Sequence, residues 1–227
     1  MAESRSIHSR ATLDDGLAEL QRDVRKLASL VDVAIERSVR ALAQLDQDLA
    51  REVIDEDAAI NAVRYEIEER GIHLIATQQP IAGDLRLIIA VLSIAPELER
   101  IGDYCAGIAR VVQLHEGQPL LKPLVDLPRM RDVVREMLRD AVDAFIERNA
   151  ERAEAVSKRD DEVDRLYDQV YRELLTFMLN DPRTIGRATW LIWVAHNLER
   201  MADRIQNVCE RTAYEVTGTM RELSRKR

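Results

Sequence analysis

A run of apolar residues spaced alternately by three and four positions constrains the fold of this chain most strongly. It begins at Leu13, Leu17, Leu20 and Val24 and keeps nearly the same spacing as far as Leu45. Residues at this spacing share one side of an α-helix, so the run predicts a long helix with a coiled-coil-like seam. Glycine and proline are also scarce, at eight and six in 227 residues. Because β-sandwiches and barrels need such residues at every hairpin, the chain is predicted to be all-α.

Five more periodic segments follow the first helix. A stretch containing Gly117, Pro119, Pro123 and Pro128 separates the third segment from the fourth. Long helices joined by short turns must run antiparallel to bury their apolar stripes, which favours two tandem three-helix bundles, residues 10–116 and 127–218. The predicted helices after the first span residues 49–78, 82–114, 130–149, 151–179 and 184–216, and Gly218 is the expected C-terminal cap.

The two bundles look like copies of one another. The sequence Leu-Glu-Arg-x-x-Asp occurs at residues 98–103 and again 100 residues later, at 198–203. In the preceding helices the matching offset is 103 residues, which pairs Ala50 with Ala153 and Asp57 with Asp160. The change of offset falls at the turn between the second and third helices, where a change of length is tolerated. We interpret the chain as an internal duplication.

Charge and cysteine content restrict the partners and the compartment. The chain has 33 basic and 41 acidic residues, a net charge of −8, and only the tail at 221–227 is locally basic. A nucleic-acid binder normally shows a basic stripe, so nucleic acid is not an expected partner. Two cysteines make no disulfide framework, and neither a secretory signal in residues 1–16 nor a membrane-length apolar stretch is visible. We expect a cytoplasmic protein.

Acidic residues border the apolar stripe at equivalent places in the two copies. Glu99 and Asp103 are four residues apart on the third helix, as are Glu199 and Asp203 on the sixth. Like charges at this spacing repel, and either a hard cation or arginines could offset that repulsion. Arg100 and Arg200 point about 100° away from the neighbouring glutamates, so they pair with them less naturally. The second and fifth helices offer facing oxygen ligands at Asp57, Asn61, Asp160 and Asp164.

Two interpretations of these eight residues therefore stay open, a metal site in each bundle and a salt-bridged helix edge. Catalytic motifs are missing from the sequence: it has no Glu-x-x-His pair, no Gly-rich phosphate loop and no nucleophile elbow. Cys105 and Cys209 are expected to be small buried packing residues. We therefore predict no catalytic residues and no enzymatic activity.

Several short motifs resemble those of the PhoU family of phosphate-uptake regulators. They are Gln79–Arg86, Leu98–Asp103, Leu198–Asp203 and Tyr214–Gly218, together with the Asp-x-x-Ile-Asn run that ends at Asn61. The similarity covers residues 17–218. The second copy departs from the first because it lacks the Gln-Pro-x-Ala-x-Asp-Leu-Arg turn and has Asp164 in place of Asn61.

This resemblance implies two three-helix bundles and a cytoplasmic adaptor that negatively regulates phosphate uptake and represses the phosphate-starvation response. It implies contacts with the ATPase subunit of a phosphate ABC transporter and with a membrane sensor histidine kinase, so the protein would be peripheral to the membrane through its partners. Some family members carry metal ions or iron clusters on the Glu/Asp-x-x-x-Asp motif, which implies a metal ion or multinuclear cluster (Fe, Mn, Mg or Zn). We also expect a homodimer. The alternative functions are a carboxylate-bound metal enzyme and a purely structural helical adaptor.

Overall fold

The described part of the chain is entirely helical. The computed structural model describes residues 2–115 and 117–223, with side chains from residue 10 onward, and the end of the basic tail at 224–227 lies outside these ranges. Within the described ranges there are seven α-helices, one short 3-10 helix and no β-strand. The predicted all-α class is confirmed. The helices are α1 (Ala2–Gln44), α2 (Gln47–Gln78), α3 (Ala82–Leu114), α4 (Asp126–Ile146), α5 (Ala150–Ser157), α6 (Asp160–Asn180) and α7 (Ile185–Thr217), with the 3-10 helix at Pro182–Thr184.

The predicted fifth helix is wrong in one respect, because it is two helices. It breaks after Ser157, where the N–H of Arg159 bonds to the carbonyl of Val156 at 2.9 Å, three residues back. The chain then begins α6 with three acidic residues in its first turn. Negative side chains are favourable at a helix N-terminus, so this acidic run supports a new helix start in the middle of the apolar pattern.

The ends of the long helices follow simple capping chemistry. The carboxylate of Asp46 accepts the N–H groups of Asp48 and Leu49 at 3.1 and 3.0 Å and so starts α2. The helix ends at Gln79, which has a left-handed backbone (φ 47°) directly before Pro80. Gly218 closes α7 in a left-handed conformation (φ 73°), which confirms its predicted role as a cap.

Helices α3 and α7 join the two halves of the molecule. Each half is a three-helix bundle. The first half consists of α1, α2 and α3, and the second consists of α4, α7 and the broken helix formed by α5 and α6. The two halves then meet where α3 lies against α7 and α1 lies against α4. Glu97 accepts a hydrogen bond from Asn207 at 2.9 Å, whereas Gly107, farther along α3, approaches Asn197. The two helices are therefore antiparallel.

These contacts are reciprocal. Residues 97 and 107 of α3 correspond to 197 and 207 of α7 in the repeat, and each contacts the equivalent of the other. Reciprocal contacts of this kind define a two-fold relationship. On α1 and α4, Asp32 and Arg135 are themselves equivalent at the 103-residue offset, and Arg135 binds Asp32 through two hydrogen bonds of 2.8 and 2.9 Å. An approximate two-fold axis therefore passes between these helix pairs.

Glu215, near the end of α7, is contacted by two arginines from other parts of the fold. The side chain of Glu215 has no exposed surface, and Arg148 Nε lies 2.9 Å from its Oε1. Arg86 Nε donates to the carbonyl oxygen of Glu215 at 3.3 Å. Burial raises the pKa of Glu215, and the nearby charges of Arg148 and Arg86 offset this only partly.

We expect this shift to appear in the pH dependence of stability. A carboxyl group whose pKa is higher in the folded protein binds more protons folded than unfolded, so stability is lost as the pH rises through the folded-state pKa. The Glu215→Gln variant lacks this titration. Its free energy of unfolding, measured by urea denaturation between pH 4 and pH 8, should therefore fall less with rising pH than that of the wild type.

The control is Glu151→Gln, which changes an exposed glutamate in the first turn of α5. This variant should follow the wild-type curve. Parallel curves for Glu215→Gln and the wild type would contradict the assignment of a raised pKa to this buried carboxyl group.

Candidate functional site

The first candidate cluster lies at a close approach of α2 to α3. The approach is set by Gly102, where a Cβ atom would lie 3.0 Å from Cδ1 of Ile60 and 3.5 Å from Oδ1 of Asp57. A larger residue at this position would push α2 away from α3. The glycine thus places the carboxylate of Asp57 against the face of α3 that carries Glu99 and Asp103.

These three carboxylates influence one another. Burial raises the pKa of Asp57 and of Glu99, and in both cases the next contribution is the negative charge of Asp103. Arg110 acts in the opposite direction on Asp57, and Arg64 does so on Glu99. The mutual influence shows that the structure brings together the predicted residues of the first half.

Of the two carboxylate oxygens of Asp57, one accepts a hydrogen bond from the described part of the chain and the other does not. Nδ2 of Asn61 donates to Oδ2 and to the backbone oxygen of Asp57, both at 3.2 Å. Oδ1 of Asp57 is buried and accepts no hydrogen bond from the described part of the chain. A buried polar atom without a partner is costly, and in native structures it often marks a place for an ion or water.

The donor chemistry of the first cluster suits a hard cation. Carboxylate and amide oxygens are the ligands that Mg²⁺, Mn²⁺ and iron prefer. Across residues 10–115 and 117–223, however, no three His, Cys, Asp or Glu side chains form a ready-made ligand group. A cation at this cluster would therefore need the carboxylate side chains to turn toward it, and Asp57, Glu99 and Asp103 are the residues that would hold it.

The second cluster is organised differently because an arginine occupies it. Nη1 of Arg200 lies 2.7 Å from Oδ2 of Asp203, whose side chain is almost completely buried. Arg200 also hydrogen-bonds to Tyr104 from the other half of the molecule. Oε2 of Glu199 lies 3.5 Å from Nδ1 of His196. A guanidinium group thus compensates the carboxylate at the position where the first half has Asp103.

The remaining predicted residues of the second half lie on α6. Asp160 is in the first turn of this helix, and Asp164 follows it by four residues. They are thus on the helix that packs against α7, as the duplication predicts.

Sequence reasoning did not identify the carboxylates that Arg100 and Arg200 bind. It considered only the neighbouring glutamates, with which these arginines pair less naturally. In the structure each arginine turns to a residue three positions away, Arg100 to Glu97 at 3.0 Å and Arg200 to Asp203. Residues three apart are neighbours on a helix surface, so the spacing itself was the available signal.

The two cysteines do not contribute a reactive thiol. Both are buried, and burial raises the pKa of the Cys105 thiol and raises that of Cys209 to about 12. A thiol in such surroundings stays protonated and inert, which agrees with the predicted packing role. In the part of the chain that the structure describes, no helix has the length and apolar character needed to cross a membrane.

The fold and the site together define a class, a duplicated helical-bundle protein with a carboxylate cluster beside the apolar stripe of each half. The PhoU domain family model matches the chain twice, at residues 24–112 and 127–212. These two matches cover most of the chain, and the chain belongs to the PhoU family.

Individual relatives match over most of their length. The phosphate-specific transport system accessory protein PhoU homolog of Clostridium acetobutylicum is 36% identical over 217 residues, which is 95% of this chain and 99% of the relative. The homolog with the same name from Aquifex aeolicus is 43% identical over 184 residues, 81% of this chain and 83% of the relative.

Solved structures show the same fold. The crystal structure of the phosphate transport system regulatory protein PhoU from Streptococcus pneumoniae superimposes with a TM-score of 0.85 at 32% identity, covering 92% of this chain and 98% of the other. That of PhoU from Pseudomonas aeruginosa gives 0.86 at 35% identity, covering 91% and 99%. The predicted family and the tandem-bundle fold are confirmed.

Proposed function

We propose that this protein is a cytoplasmic adaptor that represses phosphate uptake and the phosphate-starvation response. It would contact the ATPase subunit of a phosphate ABC transporter and a membrane sensor histidine kinase. The observation that carries this proposal is the end-to-end match to a relative named as an accessory protein of phosphate-specific transport, over 95% of this chain and 99% of that relative. Both halves of the chain are included in the match, so the proposal concerns the whole molecule.

The structure supports action by binding. An adaptor works through the free energy that couples its partners, and it needs extended surfaces more than a reaction centre. Helices of 32 and 33 residues, such as α2 and α3, are each about 50 Å long and offer such surfaces. The enzyme alternative would need a second catalytic group beside the carboxylates, and the thiols Cys105 and Cys209 are buried.

Deletion of the gene should therefore derepress phosphate-scavenging genes while phosphate is plentiful. Expression of a phosphate-responsive reporter would be compared in the wild type, the deletion strain and the deletion strain carrying the intact gene. We expect the reporter to be high in the deletion strain in both replete and starved medium, and low again in replete medium after complementation. Normal repression in the deletion strain would contradict the proposal.

We further propose that the first carboxylate cluster binds a hard cation. The supporting observation is Oδ1 of Asp57, which is buried without a hydrogen-bond partner beside two other carboxylates. A cation there would neutralise the repulsion among Asp57, Glu99 and Asp103 and tie α2 to α3. The second cluster would bind more weakly, because Arg200 already compensates Asp203.

This proposal predicts unequal losses in two double variants. Glu99→Gln with Asp103→Asn should lower Mn²⁺ affinity at least tenfold, measured by titration calorimetry on protein freed of metal. Glu199→Gln with Asp203→Asn should change it much less. The matched control is Glu136→Gln with Asp140→Asn, the same residue types at the same spacing on α4, which in the wild type pair with Arg159 at 2.7 Å and Arg152 at 2.9 Å.

The control variant should bind Mn²⁺ as the wild type does. Equally weak binding by the wild type and by the first double variant would instead establish the salt-bridged helix edge. An equal loss in both double variants would show that Arg200 does not weaken the second cluster.

A further inference from the structure

After α7 the chain turns back on itself and buries one leucine. Residues 216–222 are all exposed, whereas Leu223 is only 6% exposed. Gly218, whose left-handed backbone ends α7, allows the chain to reverse its direction there. We call residues 219–223 the strap.

Two side chains of α7 bind the backbone of Leu223. Its N–H group donates to Oε1 of Glu210 at 3.1 Å, and its carbonyl oxygen accepts from Nε2 of Gln206 at 3.4 Å. The same Nε2 donates to Oγ of Ser157, the last residue of α5, at 3.3 Å. We call Ser157, Gln206 and Glu210 the slot. It binds both polar backbone groups of a single residue, whose side chain is buried beside it.

The strap reaches the slot in an extended form. Helix α7 rises about 1.5 Å per residue, so Gly218 lies about 18 Å along the helix from Gln206 and about 12 Å from Glu210. The five residues of the strap span at most about 17 Å when fully extended, and they are not helical. A peptide that occupies the slot therefore has an extended backbone.

The residues of the slot differ from their counterparts in the first half. In the order Ser157, Gln206 and Glu210, the counterparts are Ile54, Ala106 and Arg110. Apolar side chains make no hydrogen bonds, and a guanidinium group has no acceptor. Ile54 packs against the core and Ala106 is buried, so apolar contacts fill this place in the first half. The second half has polar residues where the strap arrives.

The buried amide of Gln206 favours a carbonyl group in the slot. Gln206 is only 6% exposed, and its NH₂ group has two hydrogens to donate. One is directed to Ser157 and the other to the carbonyl oxygen of Leu223. A released strap would remove this acceptor from a buried donor, which is costly unless another carbonyl group replaces it. The slot therefore favours an occupant with the same backbone groups as Leu223.

The strap itself is held by few contacts. Besides the slot, Arg221 pairs with Glu154 at 3.4 Å, and both side chains are exposed. Exposed ion pairs contribute little to stability. Ordering the strap costs conformational entropy, and one buried leucine with a few hydrogen bonds offsets that cost only narrowly. The bound and released states of the strap therefore lie close in free energy.

The slot adjoins the second carboxylate cluster. Ser157 comes three residues before Asp160, at the break between α5 and α6, and Gln206 follows Asp203 by three residues. Residues three apart in a helix are neighbours on its surface. The occupant of the slot therefore lies about one helical turn from the second cluster.

We propose that the slot is a binding site for an extended peptide segment that carries a leucine, and that the strap occupies it as a displaceable internal ligand. A segment with the same features competes with the strap for Gln206 and Glu210. Because the strap is tethered, its effective concentration at the slot is on the order of millimolar, and a competing segment binds the intact chain weakly. The inference goes beyond the proposed function and does not depend on it.

The test measures binding of a fluorescein-labelled peptide, with the sequence of residues 219–227, to the full-length chain by fluorescence anisotropy. The two receptors are the wild type and Leu223→Ser, whose strap no longer supplies the leucine. We expect the peptide to bind Leu223→Ser about tenfold more tightly than the wild type, because the tethered competitor is weakened. A peptide that itself carries Leu223→Ser keeps the same charge and should bind neither protein.

Two variants in the Leu223→Ser background test the slot. Glu210→Ala removes the acceptor for the peptide N–H group and should weaken binding about fivefold. Ser157→Ile with Gln206→Ala introduces the residues of the first half and should abolish binding. The matched control, Gln169→Ala, changes an exposed glutamine elsewhere on the second half and should bind as Leu223→Ser does. Circular dichroism and thermal unfolding establish that each variant is folded, and Glu210→Ala decides the question where the apolar pair does not fold.

Three outcomes would overturn the inference. The first is equal binding of the peptide to the wild type and to Leu223→Ser, or binding to neither. The second is binding that Glu210→Ala leaves unchanged, or that the serine-containing peptide retains. The third is a wild-type dimer, seen by analytical ultracentrifugation and dissociated by Leu223→Ser, because the strap would then occupy the slot of a second copy.

Discussion

The antiparallel packing of α3 against α7 is the interaction on which the rest of the structure depends. It holds the two copies of the duplication in a two-fold relationship, with Glu97 on Asn207 and Gly107 against Asn197. The pairing of Asp32 with Arg135 repeats this relationship on α1 and α4. Because the contacts between the two halves are reciprocal, any feature retained in both copies appears twice, at positions related by the same axis.

The carboxylate clusters lie at the edge of the core, on helix positions beside the apolar stripe. Equivalent carboxylates differ in exposure, because Asp103 is exposed and Asp203 is buried. The two halves then compensate the resulting charge in different ways. The first keeps three mutually repelling carboxylates, and the second places Arg200 on Asp203, with Tyr104 of the first half holding the arginine. Duplication produced two similar faces, and later differences made their chemistry unequal.

Most of the fold could be predicted from the sequence because long amphipathic helices have an unmistakable period. The observed helices agree with three signals in the sequence. These are the regular spacing of apolar residues from Leu13 to Leu45, the proline at position 80 that ends the second helix, and the C-terminal cap at Gly218. The break before Asp160 was missed because the apolar pattern continues through it, and only the run of acidic residues marks a new helix start. The domain limits at 10–116 and 127–218 stay a prediction.

The site was less accessible to sequence reasoning for a physical reason. Spacing along a helix shows which face carries Glu99 and Asp103, but it does not show how a long side chain such as Arg200 turns. Nor does it distinguish an apolar residue that packs into the core, such as Leu74, from its exposed neighbour Ile72 two residues away. Burial decides both questions, and burial depends on how the helices pack against one another.

The central claim is that the packing of α3 against α7 relates the two halves by an approximate two-fold axis, while Arg200 makes their carboxylate clusters unequal. The number of Mn²⁺ ions bound per chain tests that claim most directly, measured by titration calorimetry on protein freed of metal. One tightly bound ion per chain is the expected result, because Arg200 already compensates Asp203 in the second cluster. Two sites of equal affinity per chain would contradict the account.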